Sequence, residues 1–373
     1  GEAVPYLRWA VRGASVGHRT PRCACIRGGI VSGLTRAELG AVERVLRDAG
    51  VSLEGPLSAE LVIGGRSNLT FRLTDGVDRW VLRMPPRAGR TASAHDVARE
   101  YRVTRALAGT GVPVPRAVTL CEDESLIGGP FAIAEFVEGR SVQRRTDLDE
   151  LSDVLLGRTV ERMVEVLAAL HRVDHVALGV QNLGRPDGYA ARQLRRWSSQ
   201  WSVVSPGMAE VDSIAERLYG VLSSRVPEQR AVAIVHGDYR IDNTLLRIRH
   251  DNVSVAAIID WELSTIGDPV ADVAMMCMYR HPALDHILGA PSAWTSKRLP
   301  GVDALAAAYE SAGGVTLTDW EFHLGLAYYK LAVIAAGIDY RYREGVGSGP
   351  GFDSSGRAVP ELLAAGLEVI SAA

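Results

Sequence analysis

The hydrophobic pattern of this chain has two periods, and the change falls near residue 140. Before it, short apolar runs with a period of two are divided by glycine-rich or polar turns, the pattern of strands with one buried face. Leu61 to Ile63 and Leu69 to Leu73 flank Gly64-Gly65-Arg66-Ser67-Asn68 and predict a hairpin. Arg79 to Arg83 and Phe131 to Gly139 predict further strands, and Gly111-Val112-Pro113-Val114-Pro115 breaks one helix and opens another strand. Two helices belong to this part. Thr35 and Glu38 form a capping-box pattern ahead of Leu39, Val42 and Leu46, with a stop at Gly50, and a second helix runs from Ser93 to Leu107.

Beyond residue 140 the period becomes 3.6. Leu155, Val160, Met163, Val164, Leu167 and Leu170 form a stripe along Leu151 to His171, and helices are also predicted at Tyr189 to Trp201, Gly267 to Cys277, Thr318 to Arg343 and Pro360 to Ile370. Two runs interrupt them, Ala231 to Val235 and Val253 to Ile259, each continuous, β-branched and apolar as in a buried strand. Residues 1–33 show neither period. They carry Arg8, Arg12, Arg19, Arg22 and Arg27 against the single acid Glu2, which reads as a disordered leader, with a transit peptide as the alternative. Residues 345–357, rich in Gly and Ser, read as flexible. The expected organisation is therefore a leader over 1–33, an N-terminal lobe over 34–138 and a C-terminal lobe over 139–373.

Composition narrows the picture. A chain of 373 residues exceeds the size at which one core stops growing, so two lobes are expected. A net charge of -3 argues against a nucleic-acid binder, whose footprint would be basic. No apolar run reaches the roughly 20 residues of a membrane span. Cys23, Cys25, Cys121 and Cys277 are too few and too scattered for a disulfide framework, which predicts reduced thiols and a cytoplasmic location. The oligomeric state has no sequence signature here.

The chemistry sits where the two buried strands end. Ala231 to Val235 delivers His236-Gly237-Asp238-Tyr239-Arg240-Ile241-Asp242-Asn243, and the later strand delivers Asp260-Trp261-Glu262. A carboxylate at each strand end, with an Asn five residues past the first, suits a general base beside a divalent-metal cradle. A lone Asp at a strand end is more often a turn or cap; the whole constellation is much rarer.

Asp-x-x-x-x-Asn, a strand and then Asp resembles the catalytic core of the protein-kinase-like fold. With His-Gly-Asp and Asp-Trp-Glu, the chain is similar to the aminoglycoside phosphotransferase and choline kinase family. Val-Leu-Arg-Met-Pro-Pro at residues 81–86 resembles the subgroup that includes kinase domains fused to acyl-CoA dehydrogenases. The resemblance implies an α+β, two-lobe fold: an N-terminal antiparallel sheet with a helix, and a mainly helical C-terminal lobe. It implies ATP and Mg²⁺ as cofactors, with Asp238 taking the proton of a substrate hydroxyl and Asn243 and Asp260 holding the metal. His236 and Asp268 would support the catalytic loop, Asp268 also capping the helix that follows it. Gly65, Ser67 and Asn68 would cover the nucleotide. Arg83, where the family usually has Lys, would grip phosphates with Glu100 as its ion-pair partner, and the backbone at Glu135 and Val137 would meet adenine.

The acceptor is a small molecule with a hydroxyl, and here the arginines bear on its class. Arg192, Arg195, Arg196 and Arg240 read either as a solvated face or as the lining for an anionic acceptor such as a hydroxyacyl-CoA, whereas an aminoglycoside would call for acidic lining. Two other classes stay open at this stage: a nucleotide-binding pseudokinase, and a metal-dependent hydrolase built on His236, Asp238, Asp260 and Asp268.

Overall fold

The computed structural model describes residues 33–62, 68–87, 96–205, 208–250 and 252–372. The chain divides into two compact units, one comprising residues up to Tyr101 together with Arg116–Phe136, the other Arg102–Pro115 and Val137–Ala373.

The first unit begins with α1 (Arg36–Asp48), whose capping box closes as its sequence predicts: Glu38 N–H donates to Thr35 Oγ1 at 3.2 Å, and Thr35 N–H to Glu38 Oε2 at 2.7 Å. Strands β1 (Ser58–Leu61), β2 (Leu69–Thr74) and β3 (Arg79–Met84) follow, then α2 (Val97–Leu107), which starts in this unit, and β4 (Ala117–Cys121) and β5 (Phe131–Glu135). They form one antiparallel sheet in the order β1-β2-β3-β5-β4. The alternation read from the sequence decides which face is covered. Phe71 and Leu73 of β2, Trp80, Leu82 and Met84 of β3, and Phe131 and Ile133 of β5 are buried and pack with Val42 and Leu46 of α1. Arg72, between two buried neighbours, points to the exposed face. Ser93, where the sequence starts the second helix, lies outside the described residues, as do residues 1–32.

The second unit is helical around two small ribbons. Its helices are α3 (Asp153–His171), α4 (Tyr189–Val204) and α5 (Ala209–Ser224). After them come β6 (Ala233–Val235), β7 (Thr244–Arg249), β8 (Asn252–Ile258) and β9 (Thr265–Gly267), and then α6 (Pro269–Met278), α7 (Leu284–Leu288), α8 (Val302–Ser311), α9 (Trp320–Arg343) and α10 (Ser355–Ser371). Strand β6 pairs with β9 and β7 with β8, both antiparallel. Helix α9 is buried on most of its circumference and packs against α4, α6 and α10. Among the described residues no helix is long and apolar enough to cross a membrane.

Four sequence expectations shift. Residues 102–115, read as part of the first lobe, belong with the second unit, where Pro113 C=O accepts the N–H of Ile258 at 2.8 Å. Helix α10 starts at Ser355 instead of Pro360, so the proline sits inside the helix and the flexible stretch is shorter than its composition implies. The first catalytic strand is three residues long rather than five, because its ladder with β9 covers only Ala233–Val235. Helices α5, α7 and α8 have no counterpart in the sequence reading.

Candidate active site

Hairpin β7–β8 starts at the residue after Asn243 and ends two residues before Asp260, and Thr244 lies opposite Ile258 in its register. Ile259 N–H then donates to Asn243 C=O at 3.0 Å. The hairpin therefore returns the chain to its starting point and brings two residues seventeen positions apart into one neighbourhood, with 260 − 243 = 17. Asp260 itself has φ 68° and ψ 56°, a left-handed conformation that Asp tolerates better than most residues.

Asp238 follows β6 through Gly237, at φ 83°. Its carboxylate accepts from Arg240 Nε and Nη2, both at 3.1 Å, and from Asn243 Nδ2 at 3.0 Å; the same Nδ2 donates to Asp238 C=O at 2.8 Å. Burial pushes the Asp238 carboxyl upward, but the Arg240 charge and hydrogen bonds outweigh it and hold the group below the ordinary carboxylate range. Arg240 is shared: its Nη1 lies 2.9 Å from Asp242, and its guanidinium lies over the Tyr279 ring at 5.1 Å. Asp242 goes the other way, raised by burial first, with Arg240 lowering it and Asp238 raising it.

His236 is fully buried. Its Nδ1 accepts from Asp238 N–H at 3.2 Å, which places the proton on Nε2, the donor to Ile259 C=O at 3.0 Å. Its ring packs on Trp261 at 4.8 Å. His236 thus ties the Asp238 loop to the strand that carries Asp260. The support expected of Asp268 is supplied instead by Asp272. Asp268 caps α6 by accepting from Val270 N–H at 3.0 Å and lies 3.7 Å from His323 Nε2. The buried Asp272 carboxylate accepts from His236 N–H at 2.7 Å and Gly237 N–H at 2.8 Å. His171 Nε2 lies 3.2 Å from Asp272, and its Nδ1 2.7 Å from the Tyr309 hydroxyl. Sequence reasoning missed Asp272; its position one turn past the Asp268 cap, facing inward, is the available signal.

In the first unit, Arg83 on β3 pairs with Glu100 on α2 at 3.1 Å, both side chains largely buried. Asn68 is buried in the bend just before β2, whereas Gly65 and Ser67 lie outside the described residues. Glu135, at the end of β5, pairs with Arg116 and donates its N–H to Arg116 C=O at 2.9 Å. Val137 opens the longer, second segment of the second unit.

The four arginines assigned to an acceptor do not form one free face. Arg192 donates to Arg185 C=O at 2.6 Å, Arg195 is exposed, Arg196 lies 5.7 Å from the Trp197 ring centroid, and Arg240 is occupied by Asp238 and Asp242.

The donors at the strand ends, an amide oxygen on Asn243 and a carboxylate on Asp260, are the hard oxygens that Mg²⁺ takes alongside phosphate and water. Among the described residues no group of three or more His, Cys, Asp or Glu side chains could hold a metal, so His236 and Asp268 do not join a hydrolase-type cage.

The sequence model described as Phosphotransferase enzyme family matches residues 58–323, a span containing every residue of this arrangement. The chain belongs to that family. As a phosphotransferase with an alcohol group as acceptor, it has solved structural neighbours with the same α+β architecture. One, from Ralstonia eutropha and provisionally described as an aminoglycoside phosphotransferase, is 33% identical with a TM-score of 0.75, over 89% of this chain and 98% of its own. The aminoglycoside phosphotransferase APH(4)-Ia, solved with AMP-PNP and hygromycin B, is 18% identical with a TM-score of 0.56, over 88% of this chain and 98% of its own, and shows the fold alone. Among curated proteins, acyl-CoA dehydrogenase family member 11 of Gallus gallus is 33% identical over 84% of this phosphotransferase, which spans 40% of that relative's length.

Proposed function

We propose that this phosphotransferase is an ATP-dependent small-molecule kinase whose acceptor is a hydroxyl on an acyl compound such as a hydroxyacyl-CoA. The single observation that carries the kinase reading is the return of hairpin β7–β8, which sets Asp260 beside Asn243 while Asn243 itself bonds Asp238. The similarity to an acyl-CoA dehydrogenase family member supports the acyl class, and the nucleotide analogue bound by APH(4)-Ia supports ATP.

In this reading Asn243 and Asp260 hold Mg²⁺, which when bound offsets the charge on the transferring phosphates. Asp238 orients the acceptor hydroxyl and takes its proton. Its lowered pKa makes it a weak base, which suits a loose transition state in which the hydroxyl gives up its proton late and alignment contributes most. Arg83, steadied by Glu100, receives nucleotide phosphates; Gly65, Ser67 and Asn68 cover them, and the backbone at Glu135 and Val137 takes the base. A pseudokinase usually lacks one of the base or metal residues, whereas Asp238, Asn243 and Asp260 are all present in this sequence.

The test separates the base from the metal ligand. Asp238→Ala should lower turnover about 10²- to 10⁴-fold and leave Mg-ATP binding nearly intact by calorimetry. Asp260→Ala should weaken Mg-ATP binding itself. Identical behaviour of the two variants in the binding measurement would refute the division of roles.

A further inference from the structure

The Asp238 carboxylate is fully engaged before any acceptor arrives. Arg240 donates through Nε to Oδ1 and through Nη2 to Oδ2, both at 3.1 Å, and Asn243 Nδ2 donates to Oδ2 at 3.0 Å. A carboxylate offers about four lone-pair sites, shared equally between its oxygens. Oδ2 is therefore filled, and the remaining site is on Oδ1. The Tyr279 hydroxyl also hydrogen-bonds this carboxylate, so it takes that last site. Tyr279 caps the C-terminal end of α6, its N–H bonded to Met275 C=O at 3.1 Å, and the Arg240 guanidinium lies over its buried ring at 5.1 Å.

An acceptor hydroxyl can reach Asp238 only by replacing one of these donors. Arg240 is the hardest to displace, because its fork makes two charge-assisted bonds and its Nη1 lies 2.9 Å from Asp242. Asn243 Nδ2 is held a second time, by Asp238 C=O at 2.8 Å. Tyr279 contributes one bond from a neutral hydroxyl and is the easiest to move. An arriving hydroxyl replaces it like for like, one O–H donor for another. Water offers the same exchange, but it brings no binding energy from a remote part of itself to shift the ring, and a larger acceptor does.

We propose that Tyr279 is a specificity-determining residue of the transfer reaction, its hydroxyl holding the place on Asp238 Oδ1 that the acceptor hydroxyl takes and keeping water off the base until then. The assignment rests on the kinase reading above and adds to it which oxygen of Asp238 reacts. Without the phenol hydroxyl, a water would bond to Oδ1. Its oxygen would form a bond to the γ-phosphorus of ATP as the bond to ADP breaks. Its proton would pass to Asp238 and on to solvent, and ADP and inorganic phosphate would leave. Two competing accounts predict otherwise. A tyrosine that only packs beneath Arg240 predicts no change in hydrolysis when the hydroxyl is removed, and one that orients Asp238 for reaction predicts a fall.

The experiment needs no acceptor. Wild type, Y279F and the double variant Y279F/D238N are given Mg-ATP alone and phosphate release is followed, with Mg-ATP binding measured by calorimetry and the melting temperature checked for each protein. Y279F should raise phosphate release about tenfold or more at an unchanged Kd for Mg-ATP, and adding D238N should abolish the gain. Should Y279F not fold, Y279L is judged by the same gain and the same dependence on Asp238. Release that is unchanged or lowered in Y279F, or a gain that survives D238N, overturns the assignment and leaves the kinase reading standing. A wild type that does not bind Mg-ATP overturns both.

Discussion

Arg240 serves two carboxylates that respond in opposite directions: Asp238 is held low, while Asp242 is pushed up by burial. One guanidinium thus serves two carboxylates in a dry site, and its charge and hydrogen bonds outweigh burial at Asp238 but not at Asp242. Asp272 shows the same economy, since one carboxylate receives two backbone N–H groups and a histidine. In Asp272→Asn the amide oxygen can accept from one of those N–H groups, while the amide NH₂ confronts the other. A loss of about 2–4 kcal/mol is expected in urea unfolding, with a fall in kcat because the displaced backbone leads into Asp238. Lys330 of α9 gives a pH signature, because desolvation lowers the pKa of its amine. Its folded pKa of about 8 lies below the ordinary 10.5, so between those values the unfolded chain binds more protons than the folded one. Stability from this group therefore rises as pH increases through that window. Asp238 and Asp272, which act on it, are both held below the ordinary carboxylate range and so stay ionised through that window. The unfolding free energy of wild type minus that of K330M should climb from pH 8 to 10.5, and a flat difference would refute the lowered amine pKa.

At the scale of elements, the site depends on two short ribbons rather than on a large sheet. Strand β6 ends at Val235, opposite Thr265, and the next residues turn into the loop through Gly237. A Cβ on Gly237 would stand 2.9 Å from Leu263 C=O and 3.2 Å from Leu263 Cβ, on a backbone at φ 83°. Gly237→Ala should therefore cost about 2–4 kcal/mol, from left-handed strain plus overpacking, and shift Asp238 with it. Thermal unfolding and kcat check the two halves of that expectation. The contiguous signals were legible in advance: the capping box at Thr35, the alternation that buries Phe71 and Leu73, and the octet from His236 to Asn243 each lie within a few residues. What the sequence hid is set by distant partners. Asp272 meets His236 across 36 positions, and Pro360, which favours the first turn of a helix, sits inside α10 because the turn at Ser355 precedes it. The arginines of α4 share a helical face by spacing, yet each is claimed by different surroundings: a carbonyl, solvent or an indole.

Across the whole molecule the change of period near residue 140 corresponds to two kinds of unit, a five-stranded antiparallel sheet with α1 and a helical body with two ribbons. The loop proposed to cover nucleotide falls on Gly65 and Ser67, outside the described residues. The near absence of lysine has a practical consequence. Reductive methylation with ¹³C-formaldehyde retains the charge of an amine, and in this chain it can label only Lys297, Lys330 and the amino terminus. A carbon-detected spectrum would thus hold three sites, one on the exposed surface, one at the chain end and one over the Trp197 ring, where ring current sets its resonance apart and reports any rearrangement of α4 against α9.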